Sequence, residues 1–158
     1  MLFLIFQIGA DRYALDARQV VEVLPPLAVK RIPLAPSSVA GLIDYHGQAV
    51  PLVDIGRMAT GRAAQARLST RIVLVDYPDS RGDGTQAGTH LLALLAERVT
   101  ETLSRDPADF QPSGLVPADA RWLGPVAADA QGLVQWVQLG DLLDDQLHAL
   151  LFARAEPA

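Results

Sequence analysis

The sequence predicts an all-β fold, a sandwich or barrel of about ten short strands, and three observations predict it. Apolar runs rich in valine, isoleucine and leucine recur along the chain, too short for helices. Turn residues separate them at regular spacing. A sustained helical period occurs only near the C-terminal end, where Leu143, Leu147, Leu150 and Leu151 share one face.

Each element follows in order. Residues 2–8 read as a strand, Gly9-Ala10-Asp11-Arg12 as a hairpin turn, and Tyr13-Ala14-Leu15 as the returning strand. Asp16 is predicted to cap a short helix, because its carboxylate can accept a bond from a backbone N–H two or three residues on. That helix places Val20, Val21 and Leu24 inward and ends at Pro25-Pro26. Pro26, Pro33 and Pro36 make 26–38 an extended connector. Val39–Ile43 is a strand, Asp44-Tyr45-His46-Gly47 a tight turn with Gly47 at the strained position, and Ala49–Ile55 the next strand. Pro51 lacks an N–H, so it implies a sheet edge or a bulge. Residues 56–70 read as loop, 71–77 as a β-branched strand and 78–88 as a polar hairpin loop. Residues 90–96 and 99–103 form two strands or one bent strand. After a polar connector over 104–121, strands at 122–127 and 133–139 turn at Asp129-Ala130-Gln131-Gly132. Asp141 opens the amphipathic helix, and the chain end from Ala155 is predicted to fray.

The 158 residues suit one compact unit or two very small ones, and with half of them hydrophobic there is ample apolar surface for a core. The net charge is −5 and Lys30 is the single lysine, so the dense basic patch that nucleic-acid binding requires is missing. The same balance argues against a polybasic membrane anchor. The apolar N-terminus lacks a basic lead-in and is broken by Gln7 and Asp11, too early for a signal peptide or a spanning helix. The expected location is therefore the cytoplasm. With no cysteine there is no disulfide, thiol catalysis or thiolate metal site.

Signals for chemistry are sparse. His46, His90 and His148 lack metal-ligand spacing and fall in a turn, a strand and the last helix. Of the fourteen aspartates, Asp11, Asp16, Asp83, Asp129 and Asp141 sit where a short carboxylate bonds its own turn or helix start. Asp144-Asp145 stand in the first helical turn, where the dipole favours negative charge. The stretch Asp76–Gly84 has a weak likeness to a calcium loop but lacks its terminal glutamate. No phosphate-binding or nucleophile-elbow motif occurs. Catalytic, cofactor and metal residues are expected to be none, and a binding module is favoured over an enzyme. The enzyme reading would need His46, Asp44 and Asp54 in one pocket.

The order of these features resembles the CheW-like family of chemosensory coupling proteins. Leu2–Gly9 with Tyr13–Asp16 resembles the family's opening hairpin, and Val20–Leu24 its short helix. Gly47-Gln48-Ala49-Val50-Pro51-Leu52-Val53-Asp54-Ile55 is similar to its most specific motif, a glycine followed by a "vPvvDl" strand. Leu91–Leu103 resembles the hairpin with the "vDxV" pattern, carrying Glu97 where an aspartate is usual, and 133–143 resembles the closing "ldLdkLL" segment. The resemblance runs from about residue 2 to residue 144, which sets the expected domain as 1–144 and leaves 145–158 as a helical extension.

This resemblance implies two five-stranded SH3-like barrels packed on a shared apolar interface. It implies an adaptor between the cytoplasmic tip of a chemoreceptor and the regulatory domain of a CheA-type histidine kinase, recruited to receptor arrays without inserting in the membrane. The receptor-interface candidates it marks are Val20, Glu22, Val23 and His46. The residues leave open whether Val20 packs on the core or meets the partner. Gly41, Gly47, Pro51 and Asp54 read as structural. One position departs: the family places an arginine, tied to a glutamate matching Glu22, where this chain has His46, and an asparagine where it has Asp44. Histidine is shorter and mostly neutral at pH 7, so Glu22 is expected to lack the family's partner. That departure points to a specialised pathway, with pilus motility or a cyclic-di-GMP output as the alternative to flagellar chemotaxis. The C-terminal leucines are expected to cover the chain's own barrel or, alternatively, a partner.

Overall fold

Strand β1 (Leu2–Ile8) is apolar on both faces because it lies between two cores. Alternation sends Phe3 and Ile5 into one cluster with Ala14, Phe110 and Val134, and Leu4, Phe6 and Ile8 into another. The same division recurs further along, where Leu52, Ile72 and Leu74 point into a third cluster and Val53, Val73 and Val75 point back to the second. The near-continuous apolar runs of the sequence are thus strands buried on both sides. The computed structural model describes residues 1–79 and 88–152. Residues 80–87, which hold most of the expected polar loop and of the calcium-loop likeness, and 153–158, which hold the expected frayed end, lie outside the described residues.

The strands pair in the order β3-β6-β7-β1-β2-β9-β8, with β4 and β5 attached through β5 and β7. β2 is Asp11–Asp16, β3 Val20–Leu24, β4 Val39–Tyr45, β5 Gln48–Asp54, β6 Arg71–Asp79, β7 Gly88–Ser104, β8 Leu123–Asp129 and β9 Gly132–Val137. β7 is the pivot. Its first half pairs with β5 and β6, its second half with β1, and Arg98 turns the chain between them at φ 51°. The result is two five-stranded SH3-like barrels that share β7, with β3, β4, β5 and β6 in one and β1, β2, β8 and β9 in the other. The second cluster, which includes Trp122, Leu142 and Leu147, is the apolar interface between them.

Three local expectations are corrected. The short helix after the first hairpin is one 3-10 turn, Ala17–Gln19, and Val20–Leu24 is a strand. Asp16 does cap that turn, accepting the Arg18 N–H at 2.9 Å. Beyond it, β-branched residues find backbone partners on β6, and pairing overrides the helical start. Residues 56–60, read as part of a loop, together with Ile55, read as the end of a strand, form helix α1 (Ile55–Thr60), capped by Asp54 and closed by Gly61 at φ 78°. The last helix, α2 (Asp145–Leu151), starts at Asp144 and not at Asp141, which belongs to a 3-10 turn. The Asp144 carboxylate takes the Leu147 N–H at 2.7 Å and so sets the start. Leu143 and Leu147 are buried, Leu151 is half-buried, and Leu150 faces outward.

Candidate functional site

β3 is an edge strand, with β6 as its one strand neighbour among the described residues. A register shift between Val20 and Glu22 leaves Val21 as the extra residue of a bulge. Val20 packs partly on the interface cluster and Leu24 partly on the core of its own barrel. Val21 and Val23 are 43% and 40% exposed, and Glu22 between them is also exposed. Leu27, Val29, Ile32 and Leu34 continue the exposed apolar side chains along the chain. An unpaired edge carrying apolar groups is a surface suited to a partner.

The tip of the β4–β5 hairpin stands beside this edge. Tyr45 pairs with Gln48, so His46 and Gly47 form a two-residue loop, with φ of 51° and 86°. Two successive positive φ angles match the twist that antiparallel strands need. Asp44 fastens the loop by accepting the Gly47 N–H at 2.7 Å. The His46 ring stands edge-on to Tyr45, with centroids 4.5 Å apart. Tyr45 then reaches across to β3, and its hydroxyl donates to a Glu22 carboxylate oxygen at 2.7 Å. That bond, ahead of burial and of charge, raises the Tyr45 phenol above its ordinary pKa. Among the described residues Glu22 has no salt bridge, so a neutral donor is its partner.

The other singled-out residues are framework. Gly41 lies in β4 at φ 144°, and a Cβ there would stand 2.2 Å from the Lys30 carbonyl oxygen, so the crossing of 30 over β4 needs glycine. Leu42 spends both its N–H and its C=O on Lys30, each at 2.8 Å, which makes its opposite number Pro51 a pair without ladder bonds. β5 gains β7 only from Leu52 onward, so the missing N–H of Pro51 leaves no gap on that side either. Asp54 is 5% exposed, and its carboxylate takes the N–H groups of Arg57 at 3.0 Å and Ala64 at 2.9 Å.

His46 and Asp44 lie at one end of β5 and Asp54 at the other, about 20 Å apart by strand rise. The structure therefore does not bring the three together. An open cleft of about 980 Å³ lies elsewhere, lined by Tyr13, Met58, Trp122 and Leu147 with Asp119 and Asp141, and none of the three lines it. His90 and His148 belong to an aromatic cluster with Tyr77 and Phe152, in which His90 stacks on Phe152 at 4.3 Å. Among the described residues no group of three acidic or histidine side chains is placed to hold a metal, and no helix is long and apolar enough to cross a membrane.

Comparison with known proteins accords with this architecture. The family model described as CheW-like domain matches residues 2–147. The chain belongs to the CheW-like domain family. A curated relative, the chemotaxis protein CheW of Helicobacter pylori (strain ATCC 700392 / 26695), is 24% identical over 110 residues, 70% of this chain. The aligned part spans 61% of that relative's length. Among solved structures, the scaffolding protein TtCheW from Thermoanaerobacter tengcongensis superposes with a TM-score of 0.75 at 19% identity, covering 90% of this chain and 87% of that one. This match establishes the fold of two packed β-barrels.

Tyr45 was not among the sequence candidates. Within the predicted turn Asp44–Gly47 a tyrosine carries no signal of its own, and only the arrival of β3 beside the hairpin gives it a partner.

Proposed function

We propose that this chain is a non-catalytic adaptor of a chemosensory array, holding the cytoplasmic tip of a chemoreceptor and the regulatory domain of a CheA-type histidine kinase together at the cytoplasmic face of the membrane. Family membership supports the class of function. The observation that supports the site is the exposed β3 edge, along which Val21 and Val23 are exposed and Glu22 is held beside the His46 loop at the β4–β5 tip. Val20 supports that edge from beneath. Simultaneous occupancy of two partners passes on the receptor's state as a coupling of about 1–3 kcal/mol.

The test is capture of the purified protein's partners from its own cytoplasm, identified by mass spectrometry, with Val23→Glu as control. Val23 is exposed, so the charge blocks the edge without entering a core. A receptor and a histidine kinase captured by the parent protein, with the receptor lost in the control, support the proposal. Capture of neither overturns it.

His46 in place of the family arginine favours a second reading, in which the output is pilus motility or cyclic-di-GMP turnover and not flagellar switching. Unchanged receptor affinity in His46→Arg would show that this position does not set specificity.

A further inference from the structure

We infer that the partner seated on the β3 edge carries a lysine or arginine that pairs with Glu22, and that Tyr45 is the positioning residue that aims the carboxylate at it. The inference rests on the receptor-binding reading above and specifies its chemistry.

Glu22 offers a carboxylate with about four acceptor sites. Tyr45 occupies one of them, on Oε2, with a neutral hydroxyl. Among the described residues no cation lies within salt-bridge reach, and the neighbouring His46 ring packs against Tyr45 instead, with centroids 4.5 Å apart. Water satisfies the remaining sites while the edge is open. Glu22 lies between two exposed valines on a strand with a free side. Glu22 and Val23 alternate to opposite faces of β3, but a helix about 10 Å across laid along the free edge spans both faces and so covers Glu22 together with Val21 and Val23. Docking on the apolar groups thus strips water from an ionised group. Burying a carboxylate with one neutral hydrogen bond is strongly unfavourable, whereas burying it against a guanidinium or ammonium is tolerated. A partner without a cation at this place is therefore rejected, and one with it gains both pairing and selectivity. The net charge of −5 steers the same kind of partner toward the surface.

The experiment is calorimetric titration of the full-length protein with the cytoplasmic tip fragment of the receptor that it captures. Glu22→Gln keeps an acceptor for Tyr45 and removes the charge. The expected result is a loss of affinity of roughly thirtyfold or more, together with a weaker dependence on salt than the parent protein shows. Glu22→Lys should abolish binding, and changing one lysine or arginine of the tip to glutamate should restore it. Affinity within about twofold of the parent for Glu22→Gln overturns the inference and leaves the adaptor reading standing, since one decade is only about 1.4 kcal/mol. Loss of affinity with no rescuing change on the tip overturns the cationic partner. Failure of the parent protein to capture any receptor overturns the adaptor reading itself.

Discussion

The Tyr77 hydroxyl, on β6 at the interface between the barrels, accepts the Leu143 N–H at 3.1 Å and donates to the Gly140 carbonyl at 3.0 Å. One phenol thus fastens the segment that leaves β9 to β6 of the other barrel. The ring is 1% exposed and belongs to the interface cluster, and the bond from the Leu143 N–H is buried. Tyr77→Phe keeps the packing and removes both bonds. It is expected to lower unfolding free energy by about 1–3 kcal/mol, measured as a lower urea midpoint at unchanged m-value.

The same fastening explains where the C-terminal helix sits. Leu147 is buried in the interface cluster while Leu150 is 51% exposed. Leu147→Ala should cost about 2–4 kcal/mol through lost burial and a residual cavity. Leu150→Ala should change stability by no more than about 0.5 kcal/mol. A thermal melt of the two variants separates docking on the chain's own core from display to a partner: equal effects would contradict the docked arrangement.

Electrostatics tie the other barrel's turn to its first hairpin. Arg12 grips Asp129 with two bonds, at 2.8 and 2.9 Å, and the pair is largely shielded from solvent. The Arg12 bond, against an opposing effect of burial, holds the Asp129 carboxyl below the ordinary carboxylate range. Asp16 is lowered as well: burial pushes it up, but the bonds from the side chain and backbone of Arg18 outweigh that. A folded pKa below the unfolded value of about 3.9 means that the ionised form favours folding. That stability is present at neutral pH and is lost as pH falls through the folded pKa. Asp129→Asn should therefore be less stable at pH 7 by about 1–3 kcal/mol and should show a shallower decline on acidification below about pH 4. An acid limb parallel to the parent's would contradict the assignment.

Strands whose two faces both meet core were legible because their apolar runs are too short for helices and turn residues bound them. Both SH3-like barrels followed from the family resemblance, since pairing order does not show in periodicity. Val20–Leu24 was misread because five residues after a capping aspartate fit either period. β6 decides the matter by supplying the ladder, which is a tertiary fact. α1 carried a usable sign, Asp54 at its start and Gly61 at its end, but its Gly56 and short length masked it. At the candidate site, the His46 departure was visible in sequence, whereas the replacement donor was not. Glu22 and Tyr45 are 23 residues apart and meet only because the β4–β5 hairpin folds back beside the edge strand.

That contact gives the prediction most specific to this chain. Tyr45→Phe removes a donor from the surface and leaves Glu22 free to rotate in water, so folding stability is expected to stay within about 0.5 kcal/mol of the parent. Receptor-tip affinity should fall, because the carboxylate must then be ordered on binding. The titration of Tyr45 offers a readout that does not need a partner. In the parent protein the phenol is held above its ordinary value by Glu22, so the protonated form is favoured and the bond is lost as pH rises through the raised pKa. Glu22→Gln should bring the titration of Tyr45, followed by ultraviolet difference absorbance with Tyr45→Phe to assign it, back toward lower pH. An unshifted phenol in Glu22→Gln would mean that the two side chains do not hold each other in solution, and the fixed carboxylate at this edge would lose its support.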